Sequence, residues 1–212
     1  KTPESKDLPP QLEKGPAYGK TSAPKEQTPS DWPTYRGNIN RSGKAVAPVS
    51  TSLNPAWETE IGDGSRLSSV IVADSKLFVA EIDAHAVHCL DAENGKILWS
   101  HVAGGRIDSP PTYHQGNVLF GSADGTVTSL QASDGTLAWR FHASTEDLRH
   151  MSFEQLESVW PVSGNVLVRD SSAYFVAGRS NFLDGGLRFY RLNAKTGETI
   201  AQTKINETDP ET

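Results

Sequence analysis

The sequence predicts an all-β chain, a β-propeller of four-stranded antiparallel blades. The pattern Leu-x-Ala-x-x-Gly occurs three times, carried by Leu90, Ala92 and Gly95, by Leu130, Ala132 and Gly135, and by Leu192, Ala194 and Gly197. A tryptophan stands four residues after the first two glycines, and Trp57, Trp99 and Trp139 recur about every 40 residues, the length of one propeller blade. With 18 glycines and 13 prolines against one methionine, the composition suits short strands and tight turns rather than long helices.

Residues 1–30 contain Pro3, Pro9, Pro10, Pro16, Pro24 and Pro29 among charged and hydroxyl side chains. Such a stretch buries too little apolar area to offset its ordering entropy, so it reads as a disordered or linker segment. Residues 12–18, with Gly15, Pro16 and Tyr18, are the exception, readable as the tail of an earlier structural unit.

Residues 31–205 carry the repeats, and 206–212 a tail. Trp57, preceded by Asn54, Pro55 and Ala56, reads as the end of an earlier copy whose turn has diverged. The first full copy has β-type runs at 70–73, 77–81, 86–90 and 97–101. The second has them at 111–114, 118–122, 126–130 and 137–141, parted by Gln115-Gly116, Ala123-Asp124-Gly125 and Ser133-Asp134-Gly135. These are hairpin turns with glycine where positive φ is wanted.

The third copy is longer. Aligning Asp170 with His114 and Asp74 places Val162 opposite Arg106 and Arg66, and the additional residues then fall at 143–161 and 177–187. Strand direction alternates within a blade, so these two connections emerge on one face. Long loops on a rigid scaffold are a usual place for recognition. Arg149, His150, Phe153, Trp160, Arg179, Phe182 and Asp184 give that face its aromatic and charged groups; the alternative is that the loops only pack.

Trp57, Trp99 and Trp139, with Gly95, Gly135 and Gly197, form the structural docking set. A ring burying ~150–250 Å² at the same point of each repeat wedges between blades that cannot cover their own apolar faces.

Charge and cysteine content exclude more than they assign. A net charge of −6 offers no basic stripe for a nucleic acid, and no run of apolar residues reaches membrane-spanning length, so neither nucleic acid nor membrane insertion is expected. Cys89 is the one cysteine, which rules out an intrachain disulfide and any zinc site with paired cysteines; it reads as a small buried apolar residue. His85 and His88, three apart on a strand, face opposite sides and cannot share a metal. Asp108, Asp184 and Glu157 read as solvated turn carboxylates rather than catalytic acids.

The run from Leu90 through Asp91, Ala92, Glu93, Asn94, Gly95, Lys96, Ile97 and Leu98 to Trp99, its second copy at 130–139, and Ser109-Pro110 before an inner strand resemble the tryptophan-docking repeats of PQQ-like propellers. That family includes quinoprotein alcohol dehydrogenases and the lipoprotein of the bacterial outer-membrane barrel-assembly machine. Asp31-Trp32-Pro33-Thr34-Tyr35-Arg36-Gly37, followed by Arg41-Ser42-Gly43, is similar to the segment that often opens such propellers in large exported bacterial proteins, and residues 179–186 are similar to a stretch of the same chains.

The resemblance implies a seven- or eight-bladed ring, of which about three to three and a half blades stand here. It also implies a periplasmic or otherwise extracytoplasmic location. Two functions follow from it: a non-catalytic scaffold or binding module for a protein, a glycan or another domain, or a fragment of a PQQ-dependent quinoprotein alcohol dehydrogenase whose site lies in missing blades. Family dehydrogenases set a vicinal cysteine pair against the quinone and use Ca²⁺. A chain with one cysteine cannot supply the pair, and no residue matches the catalytic positions. No catalytic, cofactor or metal residue is therefore expected in this segment, PQQ and Ca²⁺ entering only with the second function. Its partners are expected to be missing blades or other domains of the same chain. Expressed alone, it is expected to self-associate through the apolar faces and strand edges at its two ends.

Overall fold

A computed structural model describes residues 10–20, 28–143 and 146–207. Most of the expected linker and the end of the tail lie outside these residues. Strand β1 (Leu12–Lys14) comes first. The first blade follows as β2 (Ile71–Ala73), β3 (Lys76–Glu81), β4 (Ala86–Asp91) and β5 (Ile97–Val102), an antiparallel meander hydrogen-bonded in sequence order. The second is β6 (Thr112–His114), β7 (Asn117–Gly121), β8 (Thr126–Gln131) and β9 (Leu137–His142). A separate hairpin, β10 (Arg149–Ser152) with β11 (Gln155–Ser158), precedes the third blade. That blade is β12 (Leu167–Arg169), β13 (Ser172–Ala177), β14 (Leu187–Asn193) and β15 (Thr199–Ile205).

The first hairpin of each blade turns on two residues at positive φ: Asp74 and Ser75, Gln115 and Gly116, Asp170 and Ser171. This is the two-residue turn that matches strand twist. It makes Gln115, not His114, the counterpart of Asp74 and Asp170. The backbone bonds from Ile82 N to Arg66 O, from Ala123 N to Arg106 O and from Gly178 N to Pro161 O likewise put Pro161, not Val162, opposite the two arginines. The sequence alignment is corrected by one residue at each place.

Each blade shifts register at the same point, immediately before the repeated leucine: at Cys89/Leu90, Ser129/Leu130 and Arg191/Leu192. Such a bulge bends the strand locally, here just ahead of the turn that closes the repeat. Packing lies between blades. Phe78, Cys89, Tyr113 and Val118 fill the first junction with Trp99. Trp139, Phe141, Val162, Phe175, Tyr190 and Leu192 fill the second. Blade two, covered on both sides, buries all of β7, whereas β15 is exposed along its whole length.

Two segments depart from the sequence reading. Residues 10–20, within the expected linker, are packed: β1 adds antiparallel to the outer edge of β9, pairing Leu12 with Phe141, Glu13 with Arg140 and Lys14 with Trp139. Gly15 and Ala17 then donate to the carbonyls of Ala138 and Leu137, and Ala17 is buried. A side chain at Gly15 would collide with the Leu137 carbonyl. The strand therefore belongs to blade two rather than to an earlier unit. Residues 31–43, in turn, form no earlier blade. Trp32 exchanges backbone bonds with Val72, and the Pro33 carbonyl accepts from Tyr113 N, so the segment lies along the inner strands of blades one and two. Among the described residues, none from 28 to 70 belongs to a named strand, and Trp57 has no blade of its own.

Candidate functional site

The repeated residues meet pairwise across junctions. Trp57 Nε1 donates to the Ala92 carbonyl at 3.2 Å, and Trp99 Nε1 donates to the Ala132 carbonyl at 3.1 Å. The alanine amides are held from the other side by the first turn of their own blade: Ala92 donates to Ser75 O, Ala132 to Gly116 O and Ala194 to Ser171 O. Trp57 rests on Gly95, Trp99 on Gly135 and Trp139 on Gly197. An added Cβ would stand 2.8 Å from the Trp99 ring and 2.7 Å from the Trp139 ring. Each glycine also has positive φ, 72°, 73° and 70° in order, so both the backbone and the indole above it demand glycine. Trp139 differs from the other two. It is fully buried, its Nε1 has no hydrogen-bond partner, and Leu12 of the added strand packs over the same Gly197 turn.

The two long connections meet on the face opposite these turns. Trp160 Nε1 donates to the Asp184 carbonyl at 3.0 Å, Gly178 N donates to Pro161 O, and the Arg188 guanidinium lies 4.3 Å from the Trp160 ring centre. Arg179 pairs with the Asp184 carboxylate. The buried Trp160 thus fastens one connection to the other through the Asp184 backbone, while the Arg179–Asp184 pair lies within the second connection.

The β10–β11 hairpin reaches back over the chain that enters blade two. Glu157 Oε1 meets Arg106 Nη1 at 2.5 Å, with both side chains buried, and Arg106 Nε meets Asp108 Oδ1 at 2.6 Å. Asp108, flanking carboxylate of the pair, and the neighbouring acids hold the Arg106 guanidinium above its ordinary pKa against the opposing effect of burial. Glu157 is therefore a buried ion-pair partner, not a solvated turn carboxylate: an unpaired charge there would be costly, and Arg106 neutralises it. Farther along, Gln155 Oε1 accepts from His85 Nε2 (2.7 Å), and Gln155 Nε2 donates to the Asp83 carbonyl. His85 sits in the turn before β4 at φ 60°, not on the strand, and His88 on β4 contacts Ser100 and Glu81 instead.

Hairpin side chains alternate. His150 pairs across with Glu157, and Ser152 with Gln155, on the inward polar face. Met151 pairs with Leu156 on the outward face, where Met151 is 68% exposed, and Phe153 stands in the turn at the tip, 75% exposed. The Arg106 guanidinium lies 4.5 Å from the Phe153 ring centre, fixing one side of it. Arg149 is exposed and paired with Asp147; His150 is half-buried; Phe182 and Leu183 are exposed beside the Arg179–Asp184 pair. The hairpin thus inverts the usual order, polar within and apolar without, which the alternation of 149–158 could have signalled. The joining of Arg106 to Glu157 had no local signal, since the partners lie in different repeats.

Among the described residues no group of three His, Cys, Asp or Glu side chains is disposed to hold a metal. Cys89 is buried, and burial pushes its thiol pKa up to about 12, so it stays protonated and unreactive at neutral pH.

A family model described as outer membrane protein assembly factor BamB matches residues 40–212. Outer membrane protein assembly factor BamB of Yersinia pestis is 25% identical over 130 residues, 55% of this chain and 33% of that protein. The dehydrogenase subunit of a quinone alcohol dehydrogenase of Gluconobacter oxydans is 24% identical over 176 residues, 74% of this chain and 23% of that one. Among solved structures, quinohemoprotein alcohol dehydrogenase ADHIIG of Pseudomonas putida HK5 superposes with a TM-score of 0.68 at 17% identity, over 87% of this chain and 28% of that one, and so shares the fold. The chain spans a third or less of the length of these proteins.

Proposed function

Because the chain belongs to the PQQ-like propeller family of outer membrane protein assembly factor BamB, we propose that it is a non-catalytic scaffold that binds another protein outside the cytoplasm. The observation that carries this reading is the outward face of β10–β11. Met151, Leu156 and Phe153 stand exposed on a hairpin whose inward face is pinned by Arg106, Glu157, Gln155 and His85. A clustered apolar surface held by a rigid, charged base suits protein contact better than small-molecule chemistry. Phe182 and Leu183, exposed on the connection that meets Trp160, extend the candidate surface on the same face. The location follows the family likeness.

The likeness to the Gluconobacter oxydans dehydrogenase subunit over 74% of the chain supports a second reading, in which these blades belong to a quinoprotein dehydrogenase with PQQ and Ca²⁺ bound elsewhere in the protein. The lone, buried Cys89 weighs against it for the segment described.

A photo-crosslinking residue placed at Phe153 or Phe182 in the whole protein, in cells, tests the scaffold reading. It predicts adducts to one discrete protein from both positions and none from Lys195, on the turn at the opposite face. Equal or no labelling from all three positions would overturn it.

A further inference from the structure

Strand β1 is an addition to a blade that already has its four strands. Blades one and three hold four each, and among the described residues only blade two carries a fifth, at the outer edge of β9. The segment is held there as a docked peptide is. His142 N donates to the Gln11 carbonyl at 2.8 Å, Gly15 N to Ala138 O at 2.9 Å and Ala17 N to Leu137 O at 3.0 Å. Between these ties Leu12, Glu13 and Lys14 run antiparallel to Phe141, Arg140 and Trp139. Backbone bonds of this kind hold any extended peptide on a sheet edge, and the side chains decide which one.

Four positions supply that selection. Leu12 stands on the same face as Phe141 and packs on the core between blades two and three, over the Gly197 turn. Glu13 stands on the other face, where its carboxylate meets Arg140 Nη1 at 2.9 Å. Gly15 lies so close to the Leu137 carbonyl that any Cβ collides with it. Ala17 is 1% exposed, and a larger side chain there would overpack the junction. An apolar residue, an acid, a glycine and an alanine at this spacing form a code that a strand must satisfy to lie on the edge.

We propose that the outer edge of β9 is a peptide-binding site, that residues 11–18 are its resident ligand in cis, and that a strand of another protein carrying the same code takes their place. The resident strand competes at the high effective concentration of an intramolecular ligand, so an incoming peptide binds once it is withdrawn. The edge is formed by residues 137–142 and shares no residue with the outward face of β10–β11, so the site stands independently of the scaffold reading.

The test uses the whole protein that contains this chain and a fluorescent peptide with the sequence of residues 10–20. In one variant, residues 10–20 are replaced by a Gly-Ser stretch of equal length. Fluorescence anisotropy is expected to show saturable binding to that variant and at least about 10-fold weaker binding to the unaltered protein. The peptide carrying Gly15→Val is expected to bind the variant at least about 10-fold more weakly. A second arm cuts the otherwise unaltered protein at a specific protease site introduced within 21–27, and excess peptide is expected to release the severed strand. The absence of saturable binding to the folded variant, equal binding of the Gly15→Val peptide, or equal binding to the unaltered protein would each overturn the proposal. Should the replaced variant fail to fold, the severed protein decides alone, and a strand retained against excess peptide would show that residues 10–20 are part of the blade itself.

Discussion

Trp99 donates its indole N–H to the carbonyl of Ala132 at 3.1 Å, and the ring it thereby anchors covers the Gly135 turn of the same neighbouring blade. One polar bond and one steric fit thus join two repeats, and Trp57 does the same to Ala92 and Gly95.

Gly135→Ala should destabilise the chain by about 2–4 kcal/mol, the sum of left-handed strain and overpacking against the indole. Gly164, with open space around it, is the control: Gly164→Ala should stay within about 0.5 kcal/mol. Denaturant unfolding of both variants checks the contrast, and equal costs would mean the indole fit is not the constraint.

Trp139→Ala should cost about 3–5 kcal/mol, because that ring is fully buried beneath the added β1 strand. Trp57→Ala should cost clearly less, since its ring is half-exposed and no sheet stands over it. The difference in unfolding midpoint between the two variants measures what β1 and the third blade add.

Arg106→Met leaves the buried Glu157 carboxylate without its partner and should cost about 3–5 kcal/mol. Adding Glu157→Gln should recover much of that loss. Limited proteolysis within 149–158 should follow the same order, with the single variant cut fastest; a hairpin equally resistant in all forms would show that the ion pair does not hold it.

Stability should fall as the solution is acidified from neutrality. Burial lowers the pKa of His101, of His114 and of His142 below the ordinary 6.5. Between those lowered values and 6.5 the unfolded chain binds more protons than the folded one, so stability rises with pH across that window. The contribution is fully present above about 6.5 and is lost as pH falls toward the folded values. Denaturation midpoints at pH 8, 7, 6 and 5 check the slope, and replacing His114 by Gln should flatten part of it.

Much of the fold was legible because each blade writes its own closing turn. The repeated leucine, alanine and glycine mark a bulge, a two-sided backbone tie and a positive φ, all set by residues a few positions apart. Gln115-Gly116 is itself legible as a turn, and it is the equivalence of Gln115 rather than His114 with Asp74 and Asp170 that the backbone angles supply. What could not be read depended on partners distant in sequence. Leu12 pairs with Phe141, Trp32 with Val72 and Arg106 with Glu157, and no local pattern selects those partners. At the candidate surface, Trp160 and Asp184 proved to tie the two connections together, while Phe153 and Phe182 stayed exposed; residue type alone does not separate an aromatic that packs from one that faces outward.

If these blades bind a protein and oxidise nothing, the whole protein that carries the chain shows it most directly. Purified and incubated with PQQ and Ca²⁺, it is scanned for retained quinone absorbance and assayed for alcohol-dependent reduction of an electron-accepting dye. The scaffold reading predicts neither retained quinone nor turnover. Stoichiometric quinone with dye reduction that requires alcohol would contradict it and place the chain among the quinoprotein dehydrogenases.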